Sequence, residues 1–186
     1  MVLSDRDIRR RIGVKNDPAY GIGIDPFDDD QVQPSSIDLT LANEWRVYPA
    51  LEAQPIDIDC AKEVETIKLV SDQYVLEPHA LALFSTAEYV EIPTTLCARV
   101  EGKSSIGRLG LLIHCTAGFI DPGFKGKITL EMVNLNNRPI ILRAGKPICQ
   151  LSFFGLTAPP EKPYGHPDLG SHYQDQREVV GSRYDG

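Results

Sequence analysis

No run in this 186-residue sequence approaches the length of apolar chain needed to cross a bilayer. The opening residues, Met1-Val2-Leu3-Ser4-Asp5-Arg6-Asp7, carry charge where a secretion signal would need an apolar stretch. A cytoplasmic protein that engages no membrane is the expectation. Basic residues are also in deficit, with 19 Lys and Arg against 26 Asp and Glu and a formal net charge of -7. Broad nucleic-acid binding depends on neutralising many phosphates, so this balance weighs against it. A small anionic ligand, held by a few local donors, remains compatible.

Signatures for metals and nucleophiles are missing as well. Cys60, Cys97, Cys115 and Cys149 form no CxxC pair, and each stands beside apolar or small residues. Buried, reduced thiols are therefore expected. The HxE and CxxC elements of a zinc deaminase are absent. His114 has no ligand-spaced partner beyond its neighbour Cys115, and His79, His166 and His172 fit surface or locally hydrogen-bonded positions. No GxSxG elbow surrounds Ser104-Ser105. A metal held by protein side chains alone is not expected.

Helix signals are few. Ser4 and Asp7 mark the start of one short helix, on which Leu3, Ile8 and Ile12 share a side and Gly13 ends the run. From Asn16 to Pro34 the density of Pro, Gly and Asp predicts an ordered surface excursion. Short strand patterns dominate from Ser36 onwards. Ile37, Leu39 and Leu41 alternate with polar or small residues, and Trp45 and Val47 lead to a turn near Pro49. Further strands are expected at Tyr74-Val75-Leu76, from Ala82, from Cys97 to Val100, across Ile128 to Val133, at Ile140 to Leu142 and from Ile148 to Phe154. Turn residues at Pro93, Asn136-Asn137, Ala144-Gly145 and Pro159-Pro160 separate them. The fold class is mainly β, a sandwich, barrel or jelly roll with a few short helices. One domain accommodates the chain. Residues 156–186, rich in Pro, Gly, His and Tyr, suit either a mobile tail or a flap over a ligand.

Two segments concentrate chemistry. EGKSSIGRLG at 101–110 supplies Lys103, Ser104, Ser105 and Arg108 around exposed glycine backbone, a set able to orient phosphate oxygens. It is not a Walker A loop, and on chemistry alone an ordinary surface turn is the simpler account of it. A brief helical turn capped by a serine is expected there. In HCTAGFIDPGFKGKITLE at 114–131, Asp121-Pro122-Gly123 predicts a tight turn. The alternation beyond Gly126 puts Thr129, Glu131 and Val133 on one strand face and Ile128, Leu130 and Met132 on the other. A carboxylate facing a cavity is a better proton acceptor from water than one in bulk solvent. On the residues alone, a solvent-facing strand glutamate is the simpler reading of Glu131.

Taken together, the motifs resemble the dCTP deaminases of the trimeric dUTPase superfamily, over essentially the whole chain. The resemblance rests on LSDRDI at 3–8, QPSSIDLTL at 33–41, EGKSSIGRLGLLIHCTAGFIDPGFKGKITLE at 101–131, AGKPICQLSF at 144–153 and PYGHPDLGSHYQDQ at 163–176. It implies a distorted β-barrel or jelly-roll subunit of the dUTPase-like (β-clip) type, and a homotrimer whose sites are shared between neighbouring chains. It further implies that 156–186 is the flap. Glu131 would be the general base activating water for attack at cytosine C4 without zinc, with Ser104 and Arg108 organising that water. Ala117 would sit beside the base, and the main chain around Ile128 and Thr129 would read its edge. Lys103, Ser105, Gln150, Tyr164, His172 and Gln176 match sugar- or triphosphate-binding positions, and Phe119 joins the nucleotide-contacting set. Mg2+ would arrive on the phosphates, and dTTP would act as an inhibitor.

Two departures refine this. Gly118-Phe119 stand where the deaminase-only members carry His and Arg, so TAGFIDPGF resembles the bifunctional enzymes that convert dCTP to dUMP and pyrophosphate. There Asp121 matches the aspartate associated with water attack at the α-phosphate. His172 stands where the pattern usually has lysine, replacing a permanent cation with one only partly charged near neutrality. The expected activity is dUMP-forming dCTP deamination. The alternatives are a deaminase that stops at dUTP, a dUTPase, and a nucleotide-sensing trimer without catalysis.

Overall fold

The computed structural model describes residues 1–14, 17–49 and 55–184. Asn16, where the excursion was expected to start, and the last two positions of the 156–186 segment lie outside that set. Helix α1 spans Asp5–Ile12, with Ser4 accepting a hydrogen bond from the Asp7 amide and Gly13 at its end, as expected. Ile8 is its fully buried residue, the consequence of an apolar position on an otherwise charged helix.

The remainder is mainly β. The strands are β1 (Gly23–Asp25), β2 (Val32–Gln33), β3 (Ser36–Val47), β4 (Ile67–Val70), β5 (Gln73–Leu76) and β6 (Leu81–Glu91). They continue with β7 (Leu96–Gly102), β8 (Leu111–Leu112), β9 (Phe119–Ile120), β10 (Lys125–Asn134), β11 (Ile140–Arg143) and β12 (Pro147–Gly155). Ten of them form one curled antiparallel sheet along the order β8-β10-β6-β3-β12-β7-β9, with β1 on β6 and with β2 and β4 on β3. β5 and β11 make a separate two-stranded sheet.

β3 is the hinge of this arrangement. Its first half, Ile37 to Thr40, pairs with β12, and its second half, Leu41 to Val47, pairs with β6, with an irregularity between Leu41 and Trp45. A strand that changes partners in this way turns a corner, bringing two sheet faces over one core. That agrees with the mainly β class the strand pattern implies and with the distorted β-barrel or jelly roll the resemblance implies. Trp45, Phe84 and Phe153 are fully buried. Trp45 lies 5.4 Å from the Tyr74 ring and 5.7 Å from that of Phe84, in tilted contacts. Truncating such a residue to alanine costs about 3–5 kcal/mol.

Three expectations are corrected. The 16–34 excursion is not purely surface, because β1 pairs with β6 and Ile22 and Ile24 are buried. The short helix α2 (Ser104–Gly107) is capped by Lys103, with no side-chain hydrogen bond, so neither serine serves as its cap. All four cysteines are free, but only Cys97 and Cys149 are buried; Cys60 and Cys115 are exposed. A small flanking residue is a poor guide to burial where the chain lies in a short helix or a loop.

Candidate active site

β10 has a strictly alternating burial pattern, which follows from the period-two geometry of a strand. Ile128, Leu130 and Met132 enter the core, while Thr129, Glu131 and Val133 occupy the opposite face. On that face lies a cavity of about 490 Å³. Glu131 and Thr129 form its floor with Leu81 and Leu83 of β6. Ala117, Phe119 and Asp121 contribute one wall and Tyr48 another.

The C-terminal segment supplies the rest of the rim with Tyr164, Tyr173 and Gln176. Gln176 forms a parallel bridge to Gly126, and its amide donates to Thr129 Oγ1 at 2.7 Å and to the Lys127 carbonyl at 3.2 Å. The Lys127 amide returns a hydrogen bond to the Gln176 carbonyl at 2.8 Å. Two glycines make this approach feasible. Gly123 has φ +91°, and a Cβ there would lie 2.9 Å from Pro163 Cβ, beside the Tyr164 backbone. Gly126 has φ +152°, and a Cβ would press on the Gln176 backbone at 3.2 Å. Only glycine tolerates both the conformation and the contact. Tyr164 is then fixed by its amide on the Pro122 carbonyl, by an edge contact with the Phe124 ring at 5.6 Å, and by its hydroxyl accepting from the Tyr173 amide.

Glu131 is the least satisfied polar group of the floor. Its Oε2 is buried and accepts no hydrogen bond within the described protein, and both ring nitrogens of His114 share that condition. His114 Nδ1 stands 3.6 Å from Glu131 Oε2, beyond hydrogen-bond distance. Buried polar atoms without protein partners take them from water or ligand, so this corner is suited to holding a polar group. Burial, followed by the charge of Glu131, pushes the Tyr48 hydroxyl and the Cys115 thiol upward in pKa, keeping both protonated. The Cys115 thiol donates to the Glu131 carbonyl at 3.2 Å.

Eight of the residues singled out in the sequence meet at this cavity: Glu131, Asp121, Ala117, Phe119, Ile128, Thr129, Tyr164 and Gln176. Lys103 and Ser104 line a neighbouring concavity of about 390 Å³ instead, which shares Val100, His114 and Cys115 with the first. Ser105, Arg108, Gln150 and His172 line neither of the two. Arg108 and both serines are exposed. Lys103 and Gln150 both bond to Asp38, at 2.6 and 3.2 Å. The His172 carbonyl accepts from Arg183 at 2.6 Å, and its ring lies 6.0 Å from Tyr173. One chain therefore does not unite Ser104 and Arg108 with Glu131. Sequence reasoning missed Tyr48, Tyr173 and the approach of His114 to Glu131. Tyr173 sat within a quoted motif, but nothing local marks Tyr48, whose place depends on where β3 ends. No group of three or more His, Cys, Asp or Glu able to hold a metal occurs among the described residues. Among them, no helix is long and apolar enough to cross a membrane.

Comparison with known proteins identifies the family of the chain. A family model described as dCTP deaminase-like matches residues 2–156. The chain belongs to that family. It is 48% identical over 187 residues to a dUMP-forming dCTP deaminase of Mycolicibacterium vanbaalenii, covering 98% of this chain and 95% of that protein. The protein of the same name from Methanothermobacter thermautotrophicus is 43% identical, covering 98% and 93%. Among solved structures, the 2'-deoxycytidine 5'-triphosphate deaminase of Agrobacterium tumefaciens matches with a TM-score of 0.61 and 27% identity, over 82% of this chain and 47% of that one. This chain thus spans about half the length of that crystallised relative. A dUTPase from phage phi11 of S. aureus, with a TM-score of 0.50 and 14% identity over 76% of this chain and 94% of that one, shares the fold alone.

Proposed function

We propose that the chain converts dCTP and two waters to dUMP, ammonia and pyrophosphate, and that dUTP is a second substrate for the cleavage half. The observation that carries this is the opening of two carboxylates, Glu131 and Asp121, onto one cavity, each followed or preceded by the family's motif residues. Glu131 takes a proton from water, and the resulting hydroxide attacks C4 of the cytosine. The tetrahedral carbon that forms then expels ammonia once Glu131 has returned a proton to the amine. The C4 hydroxyl left behind loses its proton as N3 gains one, giving the C4 carbonyl of uracil. Ala117, whose small side chain lies on the wall, leaves room for the ring, while the Ile128 and Thr129 backbone reads its edge. Asp121 orients the second water for attack at the α-phosphorus, which releases pyrophosphate.

Ser104 and Arg108 complete the deaminating site from a neighbouring chain of a homotrimer, since one chain keeps them off the Glu131 cavity. They hold the attacking water and stabilise charge developing at C4. Lys103, Ser105, Gln150, Tyr164, His172 and Gln176 bind the sugar and phosphates, with Phe119 against the nucleotide. Residues 156–186 act as a flap that closes the site within the single domain. Asp121 is an exposed oxygen donor of the hard type that Mg2+ takes beside phosphates, so the residues present fit an ion carried in by the triphosphate. When bound, Mg2+ offsets phosphate charge. dTTP competes for the same cavity.

The test incubates purified protein with dCTP or dUTP and magnesium and resolves nucleotides, ammonia and pyrophosphate. dUMP appearing from dCTP with equal ammonia and pyrophosphate is expected. Accumulation of dUTP would leave deamination alone, and cleavage of dUTP with dCTP untouched would leave a dUTPase.

A further inference from the structure

Asp38 is a nearly buried carboxylate in the middle of the β3 segment that pairs with β12. It stands directly across from Gln150 of β12, and Gln150 in turn stands across from Glu101 of β7. Residues paired this way project from one face of a sheet. Asp38 Oδ1 accepts from the Gln150 amide at 3.2 Å, and Oδ2 accepts from Lys103 Nζ at 2.6 Å. Lys103 immediately precedes α2 and therefore the Ser104-Ser105 hydroxyls. We propose that Asp38 is a positioning residue that holds Lys103 and Gln150 as one preset donor pair for the phosphates of the substrate. This rests on the nucleotide-hydrolase function proposed above.

A purely structural role explains the arrangement poorly. β3 and β7 are already aligned through β12, which carries a continuous ladder to β7 from Cys149 to Gly155 and a second ladder to β3. A largely buried ion pair adds little net stability to such a ladder, because desolvating both charges offsets most of their attraction. The donor count favours a binding role. An ammonium has three N–H groups and a primary amide two. Asp38 takes one from each, leaving two on Lys103 and one on Gln150 for phosphate oxygens, on side chains that no longer have to be ordered when the ligand arrives. Without Asp38, Lys103 regains its rotamers and Gln150 loses its orientation. The neighbouring buried acid, Glu88, is already satisfied by Gln31 and by the Thr40 amide and hydroxyl, so it does not compete for these donors.

The experiment compares wild type with Asp38→Ala, Asp38→Asn, Lys103→Ala and the Asp38→Ala/Lys103→Ala pair. It measures kcat and KM for dCTP and the binding of tripolyphosphate by calorimetry. Asp38→Ala should raise KM and the tripolyphosphate Kd about tenfold, the scale of charge-assisted hydrogen bonds, with kcat changed by less than about twofold. Asp38→Asn, which keeps an acceptor oxygen, should recover about a third or more of that affinity. The double variant should bind no worse than Lys103→Ala alone, because the two residues act as a unit. Should Asp38→Ala fail to fold, Asp38→Asn carries the test, with a rise of about threefold in both constants expected. Wild-type KM and tripolyphosphate binding in the Asp38 variants would overturn the assignment, as would a kcat loss with KM unchanged. If wild type leaves dCTP untouched while tripolyphosphate binding still depends on Asp38, the proposed reaction falls and the positioning role stands.

Discussion

Replacing Glu131 with glutamine tests the chemistry at its centre. The exchange is isosteric: one carboxylate oxygen becomes an amide nitrogen on a side chain whose Oε2 is buried, accepts no hydrogen bond and stands 3.6 Å from His114 Nδ1. The cavity wall keeps its shape, so nucleotide affinity should change little. What disappears is the ability to accept a proton from water, which general bases contribute as about 10²–10⁴ in rate. At about 1.36 kcal/mol per decade, the barrier to deamination rises by about 2.7–5.4 kcal/mol. Removing a partly buried charge also removes part of its desolvation cost, so the thermal midpoint should not fall. The assay follows ammonia from dCTP in a single turnover, with cleavage of dUTP to dUMP in the same preparation as the internal control. Loss of ammonia release with dUTP cleavage retained is the expected result. Deamination within about threefold of wild type would refute the assignment, because loss of a true general base costs far more than that.

Asp121→Asn should slow pyrophosphate release by about 100-fold while leaving nucleotide affinity near wild type, and unchanged rates for both products would contradict its role. Gln176→Ala removes the hydrogen bonds to Thr129 Oγ1 and the Lys127 carbonyl. It should weaken docking of the C-terminal segment by about 1–2 kcal/mol, read as faster amide exchange across 173–180 and a raised KM. Burial first, and then the hydrogen bond to Asp175, raise the Tyr89 pKa from 10.0 to about 12. A folded-state pKa above the unfolded one means the contribution is intact below pH 10 and is lost as pH rises towards 12. Denaturation at stepped alkaline pH should show that loss, and Tyr89→Phe should abolish the step.

The face of β10 that carries Glu131 was legible because a strand repeats every two residues, and Ile128, Leu130 and Met132 could only go inward together. The Ser4–Gly13 helix was legible for a similarly local reason, since a cap and a stop lie within one short window. The turn at Asp121–Gly123 also announced itself, although its purpose did not. Gly123 serves the turn through its φ of +91° and also makes room for the Pro163–Tyr164 segment that lies against it, a contact made some forty residues further along the chain. Tyr48 was invisible because its position follows from the corner in β3 and not from any neighbour in sequence. Phosphate-type residues likewise looked like one cluster at 103–108, yet Asp38 draws Lys103 towards Gln150 while Arg108 remains exposed.

The same long-range character links binding to the C-terminal segment. Tyr164, Tyr173 and Gln176 form part of the cavity rim, and the chain beyond them is anchored by the fully buried Val179, whose carbonyl accepts from Arg46 Nε at 2.8 Å. Arg46 also donates to Thr66, and Lys68 of β4 pairs with Glu178. The rim is thus held from one side by β10 and from the other by β3 and β4. A nucleotide that touches Tyr164 or Gln176 binds the docked segment better than the undocked one, so its binding energy stabilises docking by the same amount that docking improves affinity. Changes at Arg46 or Lys68, which touch no part of the cavity floor, should therefore act on KM through the rim while leaving Glu131 chemistry intact.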